Sequence, residues 1–103
     1  MARFFFYGTL LDPDVRMAVI GRALPTDAIV PVRLAGFRAA RAQGRAYPVL
    51  SAKEGASVEG VVVRGLSMAE AARLFHYEDD GYDTVTVEPM RGDGRVMPAW
   101  VFM

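Results

Sequence analysis

Two short stretches of this chain hold residues able to do chemistry. The first is Tyr7-Gly8-Thr9-Leu10, inside the run "RFFFYGTLLDPDV" from Arg3 to Val15. A glycine turn leading into a helix start leaves backbone N–H groups without partners, beside the positive end of a helix dipole. Such a turn suits a carboxylate or a phosphate. The same four residues also make a plain strand-to-helix connection, so spacing alone leaves both readings standing. The second stretch is Glu78-Asp79-Asp80-Gly81-Tyr82. Three adjacent acids at the end of a helix oppose its dipole, a local cost that proteins accept at functional sites. Turned inward beside Phe75 and Tyr82, Glu78 would have its pKa raised by burial and by its acidic neighbours. It would then be suited to moving a proton near neutral pH. Facing water, the segment is a solvated acidic turn.

Other chemistries lack their residues. The chain has no cysteine, which removes disulfides, thiolate catalysis and thiolate-held metals. His76 is the one histidine, and it reads as a helix-surface residue or a neighbour of Glu78. No Gly-x-Ser-x-Gly elbow surrounds Ser51, Ser57 or Ser67. The acidic turn lacks the ligand spacing of a calcium loop, so no metal site is expected. Basic and acidic residues both number 12, which points to neither a nucleic-acid nor a membrane partner. Arg33, Arg38, Arg41 and Arg45 read first as a solvated strand edge. No signal-peptide pattern opens the chain, and no apolar run approaches the ~20 residues that span a bilayer. The expectation is a cytoplasmic protein.

The elements that must position these stretches follow from punctuation and periodicity. Arg3 to Tyr7 reads as a short buried strand. Asp12-Pro13 supplies an N-cap and a proline at the first helical position, so a helix is expected from Pro13 to about Ile20, stopped by Gly21. "AIVPVRLAGFRAAR" reads as a strand bent near Pro31 or Gly36, and Ala46 to Leu50 as a short separate one. Ser57 to Arg64 is a strand with a buried valine centre. Ser67-Met68-Ala69-Glu70 is a capping box that opens a second helix, ending near Tyr77-Glu78. "YDTVTVEPM" alternates as a strand with one buried face. Asp93-Gly94 then turns a hairpin into a last strand through Trp100, Val101 and Phe102. Trp100 and the six methionines read as core. The order is β-α-β-β-β-α-β-β, an α+β domain over residues 1–103 with a small mixed β-barrel or sheet and two helices.

In that order the stretches resemble the gamma-glutamylcyclotransferase-like family. The family opens with a hydrophobic strand, then Tyr-Gly-Thr/Ser-Leu, then a helix, as "FFYGTLL" does here. Its second mark is a leucine-rich helix ending in aromatic-Glu, with a tyrosine four residues on. Leu74-Phe75-His76-Tyr77-Glu78 and Tyr82 match it. "AYPVL" resembles the family's Tyr-Pro-Ala element, and "VEGVVVRGL" its Val-x-Gly-x-hydrophobic strand. Many relatives have glycine after the glutamate, where this chain has Asp79. They also differ from it at Phe75 and Thr84.

The resemblance implies a cavity at one end of the barrel and a cofactor-independent reaction. Tyr7, Gly8, Thr9 and Leu10 would hold the carboxylate of a gamma-glutamyl group. Glu78 would act as base and then acid while the α-amine closes on its own γ-carbonyl, giving 5-oxoproline and a released amine or amino acid. Tyr47 or Tyr82 could steady the developing oxyanion. Two alternatives stay open: a non-catalytic module binding a small carboxylate or amine, and acyl transfer to another amine. A monomer or homodimer is expected.

Overall fold

The computed structural model describes residues 2–41, 48–77 and 84–102. Strand β1 (Ala2–Phe6) is followed by a single 3-10 turn, Thr9–Leu11, and by helix α1 (Pro13–Ile20). The chain continues through β2 (Ile29–Arg41), β3 (Pro48–Leu66) and helix α2 (Met68–Tyr77). It finishes with β4 (Thr84–Val87), β5 (Met90–Arg91) and β6 (Ala99–Phe102).

Both helices start and stop where local chemistry dictates. The Asp12 carboxylate accepts from the Asp14 and Val15 amides, Pro13 follows, and Gly21 ends α1 at φ 95° with its amide on the Met17 carbonyl. At α2 the Ser67 hydroxyl accepts from the Glu70 amide (3.1 Å), and Glu70 Oε1 accepts from the Ser67 amide (2.9 Å). The two helices therefore match expectation closely.

The strands form one mixed sheet in the order β4-β6-β1-β3-β2-β5. β1 runs parallel to β6, and the other pairings are antiparallel. This sheet has to curl. If it were flat, its two edges would lie about 24 Å apart, five spacings of roughly 4.8 Å. Yet the edge strands β4 and β5 are joined by Glu88 and Pro89 alone, a link that reaches at most about 11 Å. The result is a half-barrel with two helices.

Curling divides the core in two. Phe5, Val32, Leu34, Val62, Val87, Met97 and Val101 pack together without any helix residue, which places them on the enclosed face. Phe4, Phe6, Val63 and Phe102 pack with Ile20 of α1 and Leu74 of α2 on the outer face. Alternation along β1 serves both cores, with Phe5 inside and Phe4 and Phe6 outside.

Three expectations are corrected. Ala46 to Leu50 and Ser57 to Arg64 do not form separate strands, because β3 is continuous from Pro48 to Leu66. The break expected between them is a slip in register from Ala35↔Ser57 to Phe37↔Ala52, flanked by Gly36 (φ 84°) and Gly55 (φ 82°). Left-handed glycines let both strands bulge without ending the ladder. Pro31 stays in register opposite Val61, so the bend belongs to Gly36. Second, β4 ends at Val87, β5 is an additional strand, and Val85 is 37% exposed although it shares a face with buried Val87. Third, Trp100, Met17, Met68 and Met90 are exposed, whereas Met97 is buried. No helix among the described residues is long and apolar enough to cross a membrane.

Candidate active site

The Tyr7–Leu10 turn is pinned at both ends, on opposite faces of the sheet. The Tyr7 ring stacks on Phe5 (centroids 6.0 Å apart, planes at 22°) and packs against the enclosed core. Its hydroxyl donates to the carbonyl of Phe102 at 3.0 Å. Leu10 is buried in the outer core beneath the helices. Between them the Gly8 carbonyl accepts from the Leu11 amide at 2.9 Å, closing the 3-10 turn. The leading amides of such a turn have no carbonyl within it to bond.

Gly8 fills its place for a reason other than the one its type suggests. Its φ is not in the left-handed region, so the turn does not demand glycine for backbone conformation. A Cβ built there would meet no atom of the described residues within 4 Å. Among the described residues nothing stands over the turn at this point. Gly60 is the opposite case. A Cβ on it would overlap the Phe6 carbonyl oxygen and stand 2.8 Å from a Phe5 ring carbon. β3 can lie against the end of β1 only because Gly60 has no side chain.

Glu78, Tyr82 and Tyr47 lie outside the described residues, as does the side chain of Thr9. What is described is where the chain stands on either side of residues 78–83. Phe75, in the last turn of α2, meets Phe102 edge-on with centroids 5.5 Å apart. Thr84, the first residue of β4, pairs with Phe102 as well. Both flanks therefore rest on the residue whose carbonyl accepts the Tyr7 hydroxyl. His76 is exposed in a groove between α1 and α2 that Ala18, Val19, Ala72 and Arg73 also line.

One carboxylate is buried among the described residues, and its surroundings unfit it for carrying protons. Glu70 takes two contacts from Arg22, Nε–Oε2 at 2.5 Å and Nη2–Oε1 at 3.2 Å, besides the Ser67 amide. The Arg22 guanidinium first, and then the Ser67 amide, hold its pKa down at about 2. It stays ionised at neutral pH and is a structural cap.

Arg16 was not foreseen. It is 7% exposed, and its Nη1 donates to the carbonyls of Leu10 (3.1 Å) and Leu11 (2.9 Å). It lies four residues before buried Ile20, on the inward face of α1. That spacing was the available signal. A hollow of about 640 Å³ beside β5 is lined by Val32, Gly60 and Met90 and rimmed by the exposed pair Arg33–Glu59 (2.8 Å). Of the described residues expected to bind, Tyr7, Gly8 and Leu10 do not line it. No group of three acidic or imidazole side chains that could hold a metal ion occurs among the described residues.

Comparison with known proteins agrees with this architecture. Two Arabidopsis thaliana proteins, AIG2-like protein A and protein AIG2 C, are 37% and 34% identical over 89 residues, 86% of this chain. The chain spans about half the length of each, 52%. An Arabidopsis thaliana protein solved in solution superposes with a TM-score of 0.85 at 33% identity, over 99% of this chain and 67% of that one. A gamma-glutamyl cyclotransferase structure shares the fold at a TM-score of 0.72 and 15% identity, over 99% of this chain and 65% of that one. The profile of the gamma-glutamyl cyclotransferase, AIG2-like family matches residues 4–103, and the chain belongs to that family.

Proposed function

We infer that this protein is a cyclotransferase acting on a gamma-glutamyl amine or gamma-glutamyl amino acid, with Glu78 as its proton carrier. The amides of Gly8, Thr9 and Leu10 receive the α-carboxylate of the gamma-glutamyl group, where no described residue stands over Gly8. The α-amine attacks the γ-carbonyl of the same residue, forming the ring C–N bond. Collapse of the tetrahedral intermediate breaks the original amide bond, leaving 5-oxoproline and a free amine. Glu78 accepts the proton of the attacking nitrogen and delivers it to the departing one, so no cofactor is consumed. Tyr47 and Tyr82 are candidate donors to the oxyanion. Because the attack is intramolecular, most of the task is to fold the substrate and relay a proton.

The observation that carries this reading is the position of Phe102. It receives the Tyr7 hydroxyl, and both flanks of residues 78–83 rest on it. Phe75 and Thr84, the described residues on either side of 78–83, both meet the strand end that anchors the Tyr7–Leu10 turn, and this supports the reading. The test is product analysis by mass spectrometry on a panel of gamma-glutamyl compounds with wild type and Glu78→Gln. We expect 5-oxoproline from wild type and a loss of about 10²–10⁴-fold in the variant, with ligand affinity nearly unchanged. Wild type that binds the compounds and releases no 5-oxoproline would be a binding module instead.

A further inference from the structure

The guanidinium of Arg16 is a buried charge without a carboxylate. Among the described residues it forms no ion pair, and its partners are the two main-chain carbonyls of Leu10 and Leu11. Taking a cation out of water without a counter-ion is costly. A neutral glutamine could bond carbonyls at smaller cost, so fastening the turn does not account for a full positive charge.

Its placement does. The carbonyls of Leu10 and Leu11 lie at the far end of the same turn whose near end presents the Gly8 and Thr9 amides. At ~2 Å rise per residue in a 3-10 turn, the guanidinium sits roughly 8–10 Å from an anion on those amides. The peptide units of the turn lie between the two. The dipoles point their positive ends at the anion and their negative ends at Arg16, so each charge reinforces the other's bonds. Asp12, the acid that directly follows the turn, has its carboxylate engaged by the first amides of α1.

We propose that Arg16 is a positioning residue whose buried charge makes the Tyr7–Leu10 turn select a carboxylate over an uncharged group of the same shape. This rests on the reading that the turn receives the gamma-glutamyl carboxylate. At an effective dielectric of about 20, a unit charge at that distance favours an anion by roughly 15–35-fold.

The experiment uses glutaric acid monoanilide, which is gamma-glutamyl anilide without the attacking amine, and its carboxamide counterpart as probes, with dissociation constants measured by calorimetry. Wild type should prefer the carboxylate form. Arg16→Gln and Arg16→Met should each weaken the carboxylate form roughly 15–35-fold and leave the carboxamide form within twofold. Arg16→Lys should restore most of the preference. A purely structural role would weaken both probes alike, and an unchanged preference in a folded neutral variant overturns the proposal. Should neither neutral variant fold, a salt series on wild type decides. A charge buried behind the turn keeps the preference from 50 to 500 mM KCl, whereas collapse of the preference assigns it to an exposed charge. Wild type that binds both probes equally would instead overturn the reading of the turn itself.

Discussion

Glu70 and Arg22, 48 residues apart in the chain, meet through paired contacts of 2.5 and 3.2 Å that tie the start of α2 to the segment after α1. The pairing makes stability depend on acid. The Glu70 carboxyl falls from an ordinary 4.5 to about 2 on folding. A group depressed in the folded state contributes stability above its unfolded value and loses it as pH drops toward the folded one. Urea midpoints measured from pH 7 to pH 2 should therefore decline between about 4.5 and 2. Glu70→Gln should start lower at neutral pH and decline less steeply. Ser67→Ala should cost about 1 kcal/mol through the lost cap. Its acid limb should persist, because the contacts with Arg22 remain.

Two glycines should respond oppositely to the same substitution. Gly60→Ala forces a methyl group against the main-chain carbonyl of Phe6, which cannot swing aside as a side chain could. A loss of about 1–3 kcal/mol or more is expected, seen as a Tm lowered by roughly 4–8 °C per kcal/mol. Gly8→Ala meets nothing of the described residues within 4 Å and needs no unusual φ, so stability should stay within about 0.5 kcal/mol. Binding of glutaric acid monoanilide, which cannot cyclise, should nevertheless weaken at least tenfold, measured by calorimetry. Unaltered binding would mean that no ligand approaches the turn there.

Tyr7→Phe removes the donor to the Phe102 carbonyl and keeps the ring stacked on Phe5. The expected loss is about 0.5–1.5 kcal/mol in urea unfolding. Under the proposed function, kcat/KM should fall by more than that loss of stability accounts for, since the turn loses its anchor.

What could be read from the residues alone was whatever local chemistry decides. Asp12-Pro13 and Gly21 bound α1, and the Ser67–Glu70 box opens α2, because caps depend on neighbours within four positions. The continuity of β3 was hidden, since Gly55 looks like a breaker unless its partner strand bulges beside it at Gly36. Trp100 escaped in the other direction. Its type suggests core, but its exposure depends on how far the helices extend over the outer face. At the site, the Tyr7–Leu10 turn was visible as a motif. Arg16 was not, because a lone arginine in a short helix resembles any solvated residue until the carbonyls it holds are in place.

The 95-residue separation between Tyr7 and Phe102 has a consequence for synthesis. On a ribosome adding about 5–20 residues per second, the nascent chain carries the turn for roughly 5–20 s before its anchoring strand exists. β1 also waits for β6, its parallel neighbour in the finished sheet. Under the proposed function, the carboxylate site is therefore complete only after β6 has been made and has docked beside β1.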